Sequence, residues 1–346
     1  MKDWKSIVVV LTVVSLLILL IPTLLVLPSF GQKASGELAD DSTNEPTEDW
    51  TAQLDGPVVE VAVYRTASEE IEKHQLEEYI VGVVASEMPA DFEMEALKAQ
   101  SLSARTYVVR QLMQGQTEGL PSGANVSDTV SHQVFKDLDD LKKQWGEDYD
   151  WKIKKIRQAV AETAGQVITY DGKPIEASFF STSNGYTENS EDYWQNDFPY
   201  LRSVESPWDT ESPKYSQEKT FSVQEFQTKL GVTISSDNIG TIVSRTKGQR
   251  VETVKIGEKT LSGREVRELL ELPSSDFTWT LKGKEIVVTT KGYGHGVGMS
   301  QYGANGMAKQ GKTYEEIIKH YYKGVTISPA DPFLKQYMVW DRGDRF

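Results

Sequence analysis

No charged side chain stands between Ser6 and Gln32, and residues 7–27 are almost wholly Val, Leu and Ile. Such a run is unsuited to the surface of a water-soluble domain. About 20 apolar residues suffice to cross the hydrocarbon core of a bilayer as a helix. A cleaved signal peptide would show a shorter apolar region and a small-residue cleavage site. Here Pro28-Ser29-Phe30-Gly31 follows, with no Ala-x-Ala pattern. The reading is therefore an uncleaved transmembrane helix over residues 6–28, with residues 1–5 cytoplasmic. Lys2 and Lys5 precede the span and acids follow it, so the positive-inside rule places the bulk of the chain outside the cytoplasm, in a single-pass cell-membrane protein.

Residues 29–56 read as an acidic flexible linker of Ser, Thr, Glu, Asp and Pro with little to bury. Between Ala34 and Gly56 there are seven acids and no base, against +2 for residues 1–33, which leaves −9 of the total −14 for the rest of the chain. An acidic balance excludes a general nucleic-acid binder, which needs a basic face. The 346 residues contain no cysteine, so disulfide scaffolds, thiolate zinc sites, iron–sulfur clusters and thiol catalysis are excluded too. Eight Trp, 15 Tyr and 11 Phe supply enough apolar bulk for a real core.

Beyond the linker, Val58, Val59, Val61 and Val63 announce a strand. Leu76, Tyr79, Ile80, Val83 and Val84 have the one-face spacing of an amphipathic helix, which Met88-Pro89 should end. A second helix is expected from about Glu93 to Gln114, rich in small residues, and a third through Ile153, Ile156 and Val160, stopped at Gly165. Val167–Tyr170, the turn Asp171-Gly172 and Ile175–Phe180 read as a β-hairpin. Residues 211–290 mix short helices (223–230, 264–270) with short strands (253–256, 285–290), as an inserted subdomain would. A glycine-dense turn, a helix from about Ser300 to Gln310, and a capping box at Thr313-x-x-Glu316 follow. There is no internal repeat and no βαβ alternation, so the class is α+β: a mixed α+β ectodomain whose core takes residues 57–210 and 291–346, interrupted by a smaller α+β insertion at 211–290.

Four stretches carry residues suited to chemistry. Glu87, in Ser86-Glu87-Met88-Pro89, falls at the C-terminal end of the first helix, where the macrodipole disfavours a carboxylate. A raised pKa is what a general acid needs, although an exposed Glu at a fraying helix end fits the same letters. Lys98 and Arg105 are seven apart, nearly on one helix face, with Tyr107 just beyond; they suit the polar groups of a substrate or a solvated stripe. Phe180-Ser181-Thr182-Ser183-Asn184-Gly185 opens a strand into hydroxyls and amides, so Ser181 and Ser183 suit a sugar, though a plain turn at Asn184-Gly185 also fits. The run Gly292 to Gly303 matches no nucleotide-binding pattern, but it permits close backbone approach to a ligand with His295 and Gln301 on hand; a structural tight turn fits equally. There is no G-x-S-x-G and no H-E-x-x-H, and His74, His132, His295 and His320 lack ligand spacing. Nothing requires a metal or cofactor.

Taken in order, Val84-Ala85-Ser86-Glu87-Met88-Pro89, Glu95-Ala96-Leu97-Lys98-Ala99-Gln100, Ala104-Arg105-Thr106-Tyr107, Pro199-Tyr200-Leu201-Arg202-Ser203-Val204 and Gly294-His295-Gly296-Val297-Gly298-Met299-Ser300-Gln301 resemble the stage II sporulation protein D family. The resemblance spans about residues 57–330 and includes the anchor. It implies lytic transglycosylase action on peptidoglycan glycan strands stripped of stem peptides, during engulfment, beside a partner amidase and a second membrane protein. The family's acid falls on Glu87, and Lys98, Arg105, Tyr200 and Arg202 match motif positions as groove residues. Some members hold zinc through Cys and His near the segment Asp128 to Val134; this chain has His132 but no thiol, so no zinc is expected. A non-catalytic amidase enhancer and a membrane-tethered assembly factor remain as alternatives.

Overall fold

The computed structural model describes residues 58–115, 119–194, 196–234 and 239–339. The expected membrane span at 6–28 and the linker at 29–56 lie outside these residues. Among the described residues, no helix is long and apolar enough to cross a membrane.

The chain opens with an antiparallel pair, β1 (Val58–Arg65) and β2 (Glu70–Gln75), running directly into α1 (Leu76–Glu87). Tyr79, Ile80, Val83 and Val84 are wholly buried, each such aliphatic side chain contributing about 1.5–3 kcal/mol by leaving water. The helix stops because Met88, preceding proline, is extended (φ −126°). Gly82 in its middle is needed for contact: a Cβ there would overlap the Phe135 ring and the Lys136 carbonyl.

Next, α2 (Met94–Gln114) is the central post, touching α1, α3 (Tyr149–Ala161), the strand β3 (Gln166–Tyr170), α4 (Gln301–Lys309) and α5 (Tyr314–Tyr321). Helices buried all round are normally apolar, yet this one buries Gln100, Ser101, Ser103 and Thr106. Its small side chains allow close packing, and the hydroxyls bond back one turn (Ser101 to the Leu97 carbonyl, 2.8 Å; Ser103 to Ala99, 2.9 Å; Thr106 to Leu102, 2.7 Å).

The hairpin expected over 167–180 is shorter than the sequence suggests. On the hairpin side β3 meets only Lys173–Pro174, its other edge pairing with Thr326–Pro329, and Phe179–Phe180 instead runs parallel to Met299–Ser300. The Ile175 N–H still reaches the Ile168 carbonyl (3.1 Å) before the two segments part. Residues 216–291 build two three-stranded antiparallel sheets and two helices, Val223–Leu230 and Gly263–Leu269. Phe221, Phe226, Val254, Val266, Phe277 and Ile286 form a hydrophobic cluster separate from the main core. The described architecture is thus mixed α+β.

Polar contacts lock the insertion to the core. Asn184 donates to Asp276 Oδ2 (2.9 Å) and to the Gly248 carbonyl (3.0 Å). Arg250 reaches Glu188 at 3.2 Å with both side chains 2% exposed. A Cβ on Gly296 would run into that guanidinium, and its φ of +89° also requires glycine. At Gly296 the glycine run therefore makes room for the protein's own Arg250 and not for a ligand.

Candidate active site

Glu87 is the last residue of α1, half-buried, at the meeting point of two arms of one cleft. The arms have volumes of about 620 and 790 Å³ and share Glu87, Val130, Phe179, Tyr193 and His295 as lining. Both lie within the size of ligand sites. One arm continues past Tyr107, Arg110, Glu176, Trp194 and Phe198. The other continues past Trp145, Ser181, Arg267, Tyr293 and Gln301.

Two contacts fix the Glu87 carboxyl and its backbone. Its Oε1 accepts the Val134 N–H at 3.0 Å, and its own carbonyl accepts from Gln301 Nε2 at 3.0 Å. Val134 belongs to a loop held by Arg65, which meets Asp140 (2.8 Å), Asp137 (3.4 Å), Asp128 (3.5 Å) and Glu72 (3.8 Å). Within it, His132 Nδ1 lies 2.8 Å from Ser127 Oγ. Gln301 serves a terminal carbonyl that α1 cannot satisfy internally.

Burial pushes the Glu87 pKa above the ordinary carboxylate value, and the Val134 hydrogen bond partly offsets it. Desolvation is thus the leading cause, at the helix end where the sequence suggested a raised value. Lys98 and Arg105 play no part in this balance. On the same cleft, Glu176 is likewise raised by burial and lowered by Arg110, whose Nε stands 3.2 Å away. His295 is pushed well below its ordinary range, chiefly by burial and then by Arg267. Although one edge of its ring meets the cleft, Phe180, Tyr193 and Trp194 enclose it at 5.3–5.7 Å. Its Nδ1 accepts the Val297 N–H (3.1 Å), so Nε2–H donates to the Phe179 carbonyl (3.0 Å). The ring is therefore neutral, with its one N–H engaged by the Phe179 carbonyl.

Of the residues singled out from sequence, the cleft gathers Glu87, Tyr107, Ser181, His295 and Gln301. Five others stand elsewhere. Lys98 binds Glu95 (2.8 Å) and Glu162 behind α2. Arg105 is 0% exposed and clasps Glu77. Ser183 is buried and donates to Asp209 (2.8 Å), as do Ser206 (2.7 Å) and Ser300. Tyr200 is buried, its hydroxyl accepting the Glu176 N–H at 3.0 Å. Arg202 pairs with Glu191 (2.6 Å) and Asp197. These five hold the scaffold; none lines either arm. Conversely, Arg110, Glu176, Tyr193, Trp194 and Arg267 line the cleft without having been singled out, for their neighbours in sequence carry no distinctive pattern. Among the described residues, no three His, Asp or Glu side chains converge as a metal site.

Comparison with known proteins adds an independent finding. A family model described as stage II sporulation protein matches residues 64–170. The chain is 52% identical to stage II sporulation protein D of Bacillus subtilis over 340 residues, covering 97% of this chain and 99% of that one. It is also 52% identical to the protein of that name from Bacillus amyloliquefaciens, with the same two shares. A protein of Bacillus subtilis named amidase enhancer is 29% identical over 305 residues, 71% of this chain and 40% of the relative.

Proposed function

The chain belongs to the stage II sporulation protein D family, and from this premise we propose that it is a lytic transglycosylase cleaving denuded peptidoglycan strands. Residues 6–28 tether it to the cell membrane with the bulk outside, and it works in engulfment beside an amidase and a second membrane protein. One observation supports the chemistry most: the burial-raised carboxyl of Glu87 sits where both cleft arms meet.

Hydrolytic glycosidases generally need two carboxyl groups, one of them to serve water or the sugar. A transglycosylase manages with one, because the nucleophile is the sugar's own C6 hydroxyl. Protonated Glu87 gives its proton to the glycosidic oxygen as the bond to C1 breaks. The C6 hydroxyl closes on C1, and the Glu87 carboxylate takes the proton that hydroxyl loses. The carboxyl regains its starting form and the strand ends in a 1,6-anhydro ring. Glu176, tied to Arg110, is left to position the strand.

The test compares full-length wild type and Glu87→Gln on denuded glycan, with ends identified by mass spectrometry. Anhydro ends should form at a rate about 10²–10⁴-fold lower in the variant. Reducing ends instead would mean a hydrolase, and no product from either protein would mean no enzyme. The similarity to the amidase enhancer supports a second reading, a glycan-binding activator of a partner hydrolase. Stimulation of the amidase that survives Glu87→Gln would favour it.

A further inference from the structure

The larger arm of the cleft holds three cations, Lys152, Lys214 and Arg267, against Glu87 at the junction and the exposed Asp91. Lys152 is paired with Asp148 at 3.0 Å, just as Arg110 on the other arm is paired with Glu176. Lys214 and Arg267 have no carboxylate within ion-pair distance among the described residues. Arg267 is nonetheless firmly held, with Nε donating to the Leu272 carbonyl (3.3 Å) and Nη1 to the Tyr193 hydroxyl (3.1 Å). Those two bonds leave Nη2 without a partner among the described residues. Lys214 Nζ lies 4.7 Å over the ring of Tyr293, itself 39% exposed. An aromatic face beside two unneutralised cations suits a sugar ring that carries an anion.

Both cations belong to the inserted segment rather than the core. Lys214 stands at its entry, and Arg267 lies on the helix Gly263–Leu269. Entry and exit are stitched by the Gly292 N–H to the Tyr215 carbonyl (2.7 Å), while the Gly294 N–H reaches the Pro273 carbonyl (3.0 Å). Arg264 adds a bond from Nη1 to the Tyr193 carbonyl (2.7 Å). The insertion thereby supplies one wall of the cleft, and its contacts with Tyr193 fix that wall against the shared lining.

We infer that Lys214 and Arg267 form a carboxylate subsite that takes the free O-lactyl carboxylate of a muramic acid residue in the strand. The inference rests on the reading of this cleft as a glycan-cleaving site. An intact stem peptide turns the lactyl carboxylate into a neutral amide, so the subsite distinguishes stripped from unstripped sugar by charge.

The experiment measures binding of end-labelled strands by full-length Glu87→Gln in detergent micelles, so that cleavage does not intervene. Three probes are used: denuded strands, the same strands with their carboxylates converted to methylamides, and strands with peptides intact. Denuded strands should bind about tenfold tighter than methylamidated ones, the scale of one charge-assisted contact. Adding Lys214→Gln and Arg267→Gln should abolish that preference, and any loosening of the wall from the lost Arg267–Tyr193 bond should weaken both denuded probes alike. The exposed Lys214→Gln alone, which disturbs no core contact, should lose part of it, and Lys152→Gln should lose none. Equal binding of the two denuded probes by Glu87→Gln overturns the inference, as does a preference that survives the double substitution. Peptide-bearing strands bound as tightly as denuded ones, through the same two cations, would place the anion on the peptide and overturn it too. Failure of the catalytic reading has a different signature, read from products and not from binding: reducing ends or no product from wild type, or anhydro ends still released by Glu87→Gln.

Discussion

Arg105 separates a scaffold role from a groove role most sharply. Arg105→Met keeps the aliphatic stem and removes the guanidinium. In the native protein that group makes three contacts of 2.7–3.1 Å with Glu77. It also reaches Thr163 Oγ1 at 3.3 Å and the carbonyls of Val160 and Gln166 at 3.2 and 3.4 Å. The arginine side chain is 0% exposed and that of Glu77 only 16%, so little water can replace the lost partner. Removing one member of such a buried pair costs about 3–5 kcal/mol. At about 2–4 °C per kcal/mol for a domain of this size, the melting midpoint should fall on the order of 10 °C. Differential scanning fluorimetry of the full-length chain reads the midpoint, and fluorescence anisotropy with denuded strands, well below it, reads affinity. Affinity should be unchanged. Adding Glu77→Met should restore part of the stability, because an apolar pair leaves no unpaired charge. A normal midpoint together with lost glycan binding would falsify the scaffold assignment.

The raised pKa of Glu87 has a stability consequence with a definite sign. A carboxyl whose folded pKa exceeds its unfolded value of 4.5 favours folding below that value and loses this contribution as pH rises through the folded pKa. Glu87→Gln should therefore melt higher than wild type at neutral pH, and the gain should vanish by about pH 4; a gain independent of pH would remove the burial argument. Ser183→Ala deletes one donor to the buried Asp209 and should cost about 1 kcal/mol in urea unfolding with no change in glycan affinity. An affinity loss without a stability loss would return Ser183 to the groove. Arg250→Met strands Glu188 at the joint between insertion and core. It should destabilise by about 3–5 kcal/mol and open residues 216–291 to limited proteolysis, and digestion patterns identical to wild type would count against that joint.

The first two helices were legible because their signals are local. Apolar residues at 76, 79, 80, 83 and 84 share a face, and Pro89 forbids continuation, so both the element and its end follow from sequence. The position of Glu87 follows too. What lies against a given face does not. Lys98 and Arg105 do share one side of α2, but the residues they meet, Glu162 and Glu77, come from separate segments. The hydroxyl-rich loop at 181–187 looks solvent-facing in sequence. Its Ser183 turns inward only because Asp209, 26 residues later, collects three hydroxyl donors. Glycines at 294, 296 and 298 announce close approach without saying to what, and the answers, Phe180, Arg250 and the Ser178 carbonyl, come only in three dimensions. Tyr193 and Trp194 carry no motif at all. They become a wall because Arg264 and Arg267 of the insertion reach across to Tyr193.

Residues 57–346, with a net charge of −9, gain nothing from long-range attraction to an anionic polymer. Recognition then depends on which cations remain unneutralised, and most near the site are engaged. Lys98, Arg105 and Arg202 each hold one or two carboxylates, as do Arg110 and Lys152 beside the cleft. Among the described residues of the cleft lining, Lys214 and Arg267 are the exceptions. In the same setting, burial extends upward the pH range in which the Glu87 carboxyl stays protonated, and the protonated form serves twice. It has a proton to give, and it presents no charge to repel the incoming strand. Ionisation at higher pH would remove both advantages together, so KM for denuded strands should rise over the same pH interval in which kcat falls. For methylamidated strands, which carry no lactyl charge, only kcat should follow pH. A KM that tracks pH equally for both substrates would break the link between the state of Glu87 and the charge of the strand.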